Sequence, residues 1–371
     1  MKKITIILGL TAMLAGTIGC SKKDGINDDL SFLSTATSSN PGKIFDITND
    51  NSGIVKITPT GEGVSSFVVN YGHGTGTGAS AVVMPGNSTS HAYPEGSYTV
   101  SITSKSLSGQ ATTATYPLQL TYRAPENLVV TTNKTAHLLK VKATALYAAS
   151  YLVYFDDVPN EVGTPLAAGA EVSHTYANAG TYNVKVVALS GGAAKTEKIT
   201  PVTIYDPFGL PISFDLPTID YFFGTFGGGQ QFAKVANPNA SGLNTTAMVG
   251  KFTRGFENWS GTYSPLNIPI DMAVGKKIKV LAYNPDPALI GKKLNVELES
   301  GTIANGIAVL KTAFTTSGAW EELVFDFSTI AAIPANAKFN QLVLRFNDAF
   351  NGNGTGGTGS VIYVDNFVLT N

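Results

Sequence analysis

The chain has 371 residues and a formal net charge of −1, with 14% charged, 43% hydrophobic and 10% aromatic residues. This charge density lies well under the ~25% of an average globular chain, and 39 glycines accompany it, which suits a β-rich extracellular protein. Arginine occurs only at Arg123, Arg254 and Arg345, so there is no basic surface for nucleic acid and that class of partner is excluded.

At the N-terminus Lys2 and Lys3 precede an apolar run from Ile4 to Ile18. The run is roughly 15 residues long, short of the ~20 that span a bilayer as a helix, and small residues and a cysteine end it. Residues 1–19 therefore read as a cleaved signal peptide. Thr17-Ile18-Gly19-Cys20 resembles a bacterial lipobox, with Thr17 where leucine is usual. The resemblance implies that Cys20, the only cysteine, takes a diacylglyceryl group and fixes the mature chain to a lipid bilayer, each buried methylene contributing ~0.8 kcal/mol. A plain secretory signal with an incidental cysteine is the alternative. Residues 20–40 are polar and poor in core-forming side chains, and read as a lipidated flexible tether. Within them Lys22-Lys23-Asp24 resembles the signals that send Bacteroidetes-type lipoproteins to the outer face of the outer membrane, so display at the cell surface is expected.

An internal repeat organises the next segment. Ser90 to Ile102 (SHAYPEGSYTVSI) matches Ser173 to Val186 (SHTYANAGTYNVKV) with one residue inserted, and the copies begin 83 residues apart. In each, a glycine ends a turn and strict alternation follows, so Tyr98, Val100 and Ile102, like Tyr182, Val184 and Val186, are expected to point inward. Upstream strands are expected at Phe67–Tyr71 and Tyr151–Phe155. Two tandem β-sandwiches follow, over 41–124 and 125–206. The His-x-Tyr…Gly-x-Tyr-x-Val pattern resembles the PKD domain, an immunoglobulin-like sandwich, and implies a spacer role. His91 and His174 are expected to be structural, hydrogen-bonded at a strand corner. His73 and His137 stand isolated in sequence, so no zinc site is expected.

From residue 207 to 371 the texture changes. Prolines 207, 211 and 217 punctuate the entry, and strands are expected at Lys277–Tyr283, Leu294–Glu299, Glu322–Phe327, Gln341–Phe346 and Val361–Leu369. Short strands separated by Gly, Asn and Pro loops suit a β-jelly roll, making the whole chain all-β. The segments Val235-Ala236-Asn237-Pro238, Gly242 to Ala247, Trp320 to Phe327 and Ile362 to Asn366 resemble galactose-binding-like carbohydrate-binding modules, which implies sugar binding.

Sugar recognition requires flat aromatic surfaces beside amides, carboxylates or guanidinium groups. Both tryptophans, Trp259 and Trp320, fall in this domain. Trp259 lies in a polar, Gly-rich stretch that argues against deep burial. Trp320 shares strand parity with Glu322, Val324 and Asp326, which predicts an outer face, although the resemblance implies that a tryptophan opening such a strand is commonly structural. Arg345 alternates with Leu344 and Phe346 and is expected to face outward, either toward ligand or into a surface ion pair. Tyr221, Tyr263, Glu257, Asn347 and Asp348 complete the candidate glycan-binding set. The same resemblance implies one structural Ca2+ held by Asp215 and Asp365, a hard cation on oxygen ligands.

An enzyme is not expected. Glu297 and Glu299 sit two apart on one strand, roughly 6.6 Å between Cα atoms, a spacing any alternating strand offers and one that a divergent glycoside hydrolase would use. No nucleophile context or phosphate-binding loop accompanies them. Together the parts resemble the surface glycan-binding lipoproteins of Sus-like polysaccharide utilisation systems. That resemblance implies capture of a polysaccharide, a β-glucan such as laminarin, beside a SusC/SusD-like transporter complex. A surface adhesin or structural protein with a protein partner is the alternative.

Overall fold

The structure, a computed structural model, describes residues 31–299, 307–347 and 357–371. The signal peptide and Cys20 lie outside the described residues. The chain divides into two compact units, one ending at Tyr122 and one running from Arg123 to Asn371. The described residues are all-β apart from one five-residue helix, α1 (Ser31–Thr35), and short single turns.

The first unit holds β1 (Ser39–Ile47), β2 (Ile54–Glu62), β3 (Val64–Asn70), β4 (Ser80–Val83), β5 (Thr89–Ala92), β6 (Gly96–Ser106) and β7 (Ala111–Leu120). They form two antiparallel sheets, ordered β1-β2-β5 and β4-β3-β6-β7. Alternating side chains from both sheets, among them Val55, Ile57, Phe67, Val69, Val100 and Ile102, are buried between them. The expected tether is partly structured. Residues 31–40 carry α1 and the start of β1, and the Ala36 carbonyl accepts a hydrogen bond from the Ser108 hydroxyl at 2.6 Å.

The second unit begins with an equivalent sandwich of β8 (Glu126–Thr135), β9 (Leu138–Leu146), β10 (Ser150–Tyr154), β11 (Thr164–Ala167), β12 (Val172–Thr175), β13 (Gly180–Leu189) and β14 (Lys195–Ile204). Its sheets are ordered β12-β9-β8 and β11-β10-β13-β14. The sequence repeat becomes a repeated hydrogen-bond pattern. The Tyr93 hydroxyl donates to the Tyr71 carbonyl at 3.0 Å, and the Tyr176 hydroxyl to the Phe155 carbonyl at 2.9 Å. Tyr98 and Tyr182 are half-buried against their cores and donate back to the carbonyls of Pro94 and Asn178, at 3.0 and 2.9 Å. Each tyrosine thus pins the turn four residues upstream, as a tyrosine corner does.

The remainder is a jelly roll built from β15 (Gly224–Phe226), β16 (Gln231–Ala236), β17 (Met248–Thr253), β18 (Gly261–Asp271), β19 (Lys277–Tyr283), β20 (Lys293–Glu299), β21 (Ile307–Ala313), β22 (Trp320–Asp326), β23 (Lys338–Phe346) and β24 (Val361–Thr370). Two five-stranded sheets, β15-β18-β23-β20-β21 and β16-β17-β24-β19-β22, enclose a core that includes Phe252, Val280, Val296, Leu344, Phe346 and Val364. Asp206 joins this jelly roll to the sandwich before it. Its carboxylate lies 2.9 Å from His137 Nε2, and its amide donates to the Thr218 carbonyl at 2.7 Å. Hydrogen bonds from Thr218 and then His137 hold the Asp206 carboxyl below its ordinary pKa.

Candidate functional site

One face of the jelly roll gathers the polar and aromatic groups that sugar recognition needs. On β23 Leu342, Leu344 and Phe346 enter the core, so Gln341, Val343 and Arg345 occupy the opposite face. On β20 Leu294, Val296 and Leu298 enter the core and leave Asn295, Glu297 and Glu299 outward. The register then sets the rows. Arg345 lies between Gly261 and Asn295, Val343 between Tyr263 and Glu297, and Gln341 between Pro265 and Glu299. At the edge, β15 places Phe226 beside Gly261 and Gly224 beside Tyr263.

At the centre is an ion pair. Arg345 Nε lies 2.9 Å from Glu297 Oε1 and Nη2 lies 3.2 Å from Oε2, a two-point arrangement on a carboxylate that is only 2% exposed. The Phe226 ring centre is 5.2 Å from the guanidinium carbon. Trp259 continues the stack, parallel to Phe226 within 5° at a centroid distance of 6.2 Å, and is 48% exposed. Glycine makes this possible. A Cβ on Gly261 would lie 2.6 Å from Phe226 Cζ and 2.8 Å from Arg345 Cγ, and one on Gly224 would lie 2.5 Å from the Tyr263 ring. Both rings therefore lie across strand positions that carry no side chain. Phe222 meets Tyr263 edge-on at 6.0 Å, and Gln341 donates to the Glu299 carboxylate. The result is an exposed aromatic strip beside a row of fixed hydrogen-bonding groups.

Of the expected residues, Trp259, Tyr263 and Arg345 come together on this face, and Glu257 lies in the Trp259 loop with its carbonyl accepting from Ser260 at 3.1 Å. Others do not. Trp320 is 5% exposed despite its outward parity, because the loop after β16 closes over it and the Asn239 carbonyl accepts from its Nε1 at 2.8 Å. Tyr221 packs on the core rings of Phe208 and Phe214 instead of joining the strip. Asn347 is buried in a left-handed conformation at φ 48°, its amide bonded to the Lys293 carbonyl. Asp348 lies outside the described residues. Phe226 is the member of the strip that the sequence did not offer. Phe226 sits in GTFGGGQ, which reads as a loop, and only the pairing of β15 with β18 assigns it a face.

The expected cation pair occupies one end of the other sheet, where Ile212 bridges to Phe367. Asp365 is fully buried. Its Oδ2 accepts from Asn244 Nδ2 at 2.8 Å and Thr246 Oγ1 at 2.6 Å, and its Oδ1 from the Asn366 amide at 2.8 Å. Burial, with the charge of Asp215 as a lesser cause, raises the Asp365 pKa. Asp215 accepts from the Met248 amide at 2.9 Å. The two carboxylates fit a hard cation in charge and donor type, while Asn244 turns its Nδ2 to Asp365 and its Oδ1 to Thr246. No group of three or more His, Cys, Asp or Glu gathers among the described residues, so further ligands would be carbonyls.

The histidine corners correct one expectation. His174 is structural as expected, with Nε2 2.7 Å from Asp157 Oδ2, but His73 is not isolated: its Nδ1 lies 3.0 Å from His91 Nε2.

Comparison with known proteins gives a match of the PKD domain family to residues 119–202, the sandwich that opens the second unit. No curated protein matches the chain. Among solved structures, one reported under the promiscuous specificity of carbohydrate-binding modules of the β-sandwich superfamily is similar at 14% identity and a TM-score of 0.31, covering 67% of this chain and 99% of its own. The family 11 carbohydrate-binding module of a Clostridium thermocellum cellulosomal cellulase is similar at 15% identity and a TM-score of 0.31, covering 44% and 95%. A xylan-binding domain from Paenibacillus barcinonensis is similar at 14% identity and a TM-score of 0.29, covering 43% and 96%.

Proposed function

We propose that this protein captures a polysaccharide without cleaving it, on the outer face of the β15-β18-β23-β20-β21 sheet. The observation that carries the reading is the coplanar Trp259–Phe226 stack ending on the Arg345–Glu297 pair. The apolar face of a sugar ring stacks on the indole and phenyl surfaces. Its hydroxyls exchange hydrogen bonds with the partly exposed Arg345 guanidinium and with the Gln341 and Glu299 side chains of the neighbouring row. Because those groups are fixed by one another, little side-chain ordering is required on binding.

Glu297 balances Arg345, so the centre of the face carries no net charge and suits a neutral glycan. We take this to be a β-glucan of the laminarin type. Acylation at Cys20 would hold the protein on the outer membrane at the cell surface, beside a SusC/SusD-like transporter, where multivalent display strengthens weak single-site binding. Asp215 and Asp365 would hold one structural Ca2+, whose charge offsets the cost of burying an ionised Asp365.

The test is retardation of the mature chain in native gels containing laminarin, other β-glucans, mannan, xylan, pectin or starch. Laminarin is expected to slow the wild type and not the Trp259→Ala or Phe226→Ala variants. A chain slowed by none of the six favours the adhesin reading, and reducing sugar released in a Glu297-dependent manner favours a hydrolase.

A further inference from the structure

The two sandwiches share one corner and differ in the residue that faces its histidine. In the second, the His174 ring stacks on Phe155 at 4.3 Å and 14°, and its Nε2 meets the Asp157 carboxylate at 2.7 Å. In the first, His91 stacks on Tyr71 at 4.2 Å and 14°, but the residue two places after the aromatic is His73, whose Nδ1 is 3.0 Å from His91 Nε2. The intervening backbone is the same. Gly72 has φ 66° and packs on the Thr99 backbone, while its counterpart Asp156 has φ 65° and accepts the Asn183 amide at 2.8 Å. An aspartate stands exchanged for a second imidazole, while the ring stack and the left-handed backbone between the two positions are kept.

A histidine–carboxylate pair is satisfied by its own hydrogen bond. Two neutral imidazoles instead share one proton between the facing nitrogens, and moving that proton to the far nitrogen of its own ring, the other neutral tautomer, leaves both facing lone pairs for a metal. Both rings are half-buried at the surface. With metal–nitrogen bonds of about 2.0–2.1 Å, nitrogens at this separation subtend roughly 95° at an ion, the angle between adjacent ligands of a tetragonal centre. Imidazole pairs in that geometry select copper(II) or nickel(II) over the hard cations.

We propose that His73 and His91 form a two-histidine site for a divalent transition ion of the copper–nickel type, with water completing its coordination. The second sandwich, with Asp157 in place of the second imidazole, provides the internal control.

The experiment is calorimetric titration of CuCl2 and NiCl2 into the untagged mature chain carrying Cys20→Ser, so that no thiol competes. One equivalent of Cu2+ is expected to bind and to raise the melting temperature, with excess Ca2+ or Mg2+ failing to displace it. His73→Asp, which rebuilds the corner of the second sandwich and so keeps the fold, is expected to weaken binding at least tenfold and to leave the metal-free melting temperature in place. Asp157→His is expected to add a second equivalent. Wild-type chain that takes up no Cu2+, or a His73→Asp chain that binds it as tightly as wild type, overturns the proposal.

Discussion

The outer faces of the two jelly-roll sheets make an instructive pair, because one carries a tryptophan, Trp320, at an outward strand position and the other has its tryptophan, Trp259, in the loop at its edge. On the β16-β17-β24-β19-β22 sheet, Trp320 is sealed under the Asn239 loop and touches Tyr283, whose ring centre is 5.5 Å away. The rest of that face is closed by exposed ion pairs, Lys279–Glu322 at 2.9 Å and Lys277–Asp326 at 3.7 Å, of a kind that contributes little to stability. On the other sheet, Trp259 stands open at the edge and the ion pair is buried beneath the aromatic strip. Outward parity on a strand therefore does not decide exposure. The neighbouring loop does: it donates a carbonyl cap in one case and holds the ring up in the other.

The contrast yields a graded set of substitutions. Trp320→Ala is expected to have the largest effect, a loss of about 4 kcal/mol in urea unfolding from the cavity and the lost hydrogen bond, with the folded fraction retaining its retardation by glycan. If stability stood unchanged while retardation vanished, the two faces would have to exchange roles. Arg345→Ala leaves the Glu297 carboxylate buried without its guanidinium, which is expected to cost about 3 kcal/mol and to abolish retardation, coupling stability to binding on this face alone. Trp259→Ala should weaken glycan binding ten- to a hundredfold, about 1.4–2.7 kcal/mol, while unfolding shifts by no more than about 0.5 kcal/mol.

The smallest expected effect concerns Asp365. With its folded pKa raised above 3.8, the folded state binds more protons than the unfolded one, so its contribution to stability falls as pH rises from 3.8 through the raised value. Asp365→Asn should flatten that slope in thermal melts. At neutral pH, Ca2+ should raise the melting temperature of the wild type and leave that of the variant unmoved. A wild type indifferent to both Ca2+ and EDTA would remove the cation from the reading.

Much of the fold was legible where the alternation is clean. The strand expected at Lys277–Tyr283 matches β19, which alternates between core and surface throughout, and Val361–Leu369 falls within β24, whose alternation holds except where Val364 and Asp365 are both buried and Asn366 turns left-handed. The strands that build the candidate site were harder. β18 contains Pro265 and Pro269 and shifts register between Pro265 and Ile270, which breaks the period-two pattern, and the three-residue β15 is too short to show one. The site was therefore legible as residue types and not as a surface: Trp259 and Arg345 could be named, but Phe226 becomes visible only through pairing with Gly261. The His73–His91 contact was hidden for a related reason. The two residues are 18 apart and meet because the β3–β4 turn and β5 converge, which no local pattern reports.

The Asp206 joint has a mechanical meaning. On the function proposed above, a polymer pulled by flow while seated on the jelly roll would transmit tension back along the chain through residues 204–208, the short link between β14 and the core residue Phe208. There the His137 contact and the amide bond to Thr218 lie in parallel with the covalent backbone. The joint would then work as a clamp under load, so that the second sandwich and the jelly roll resist a sideways pull together.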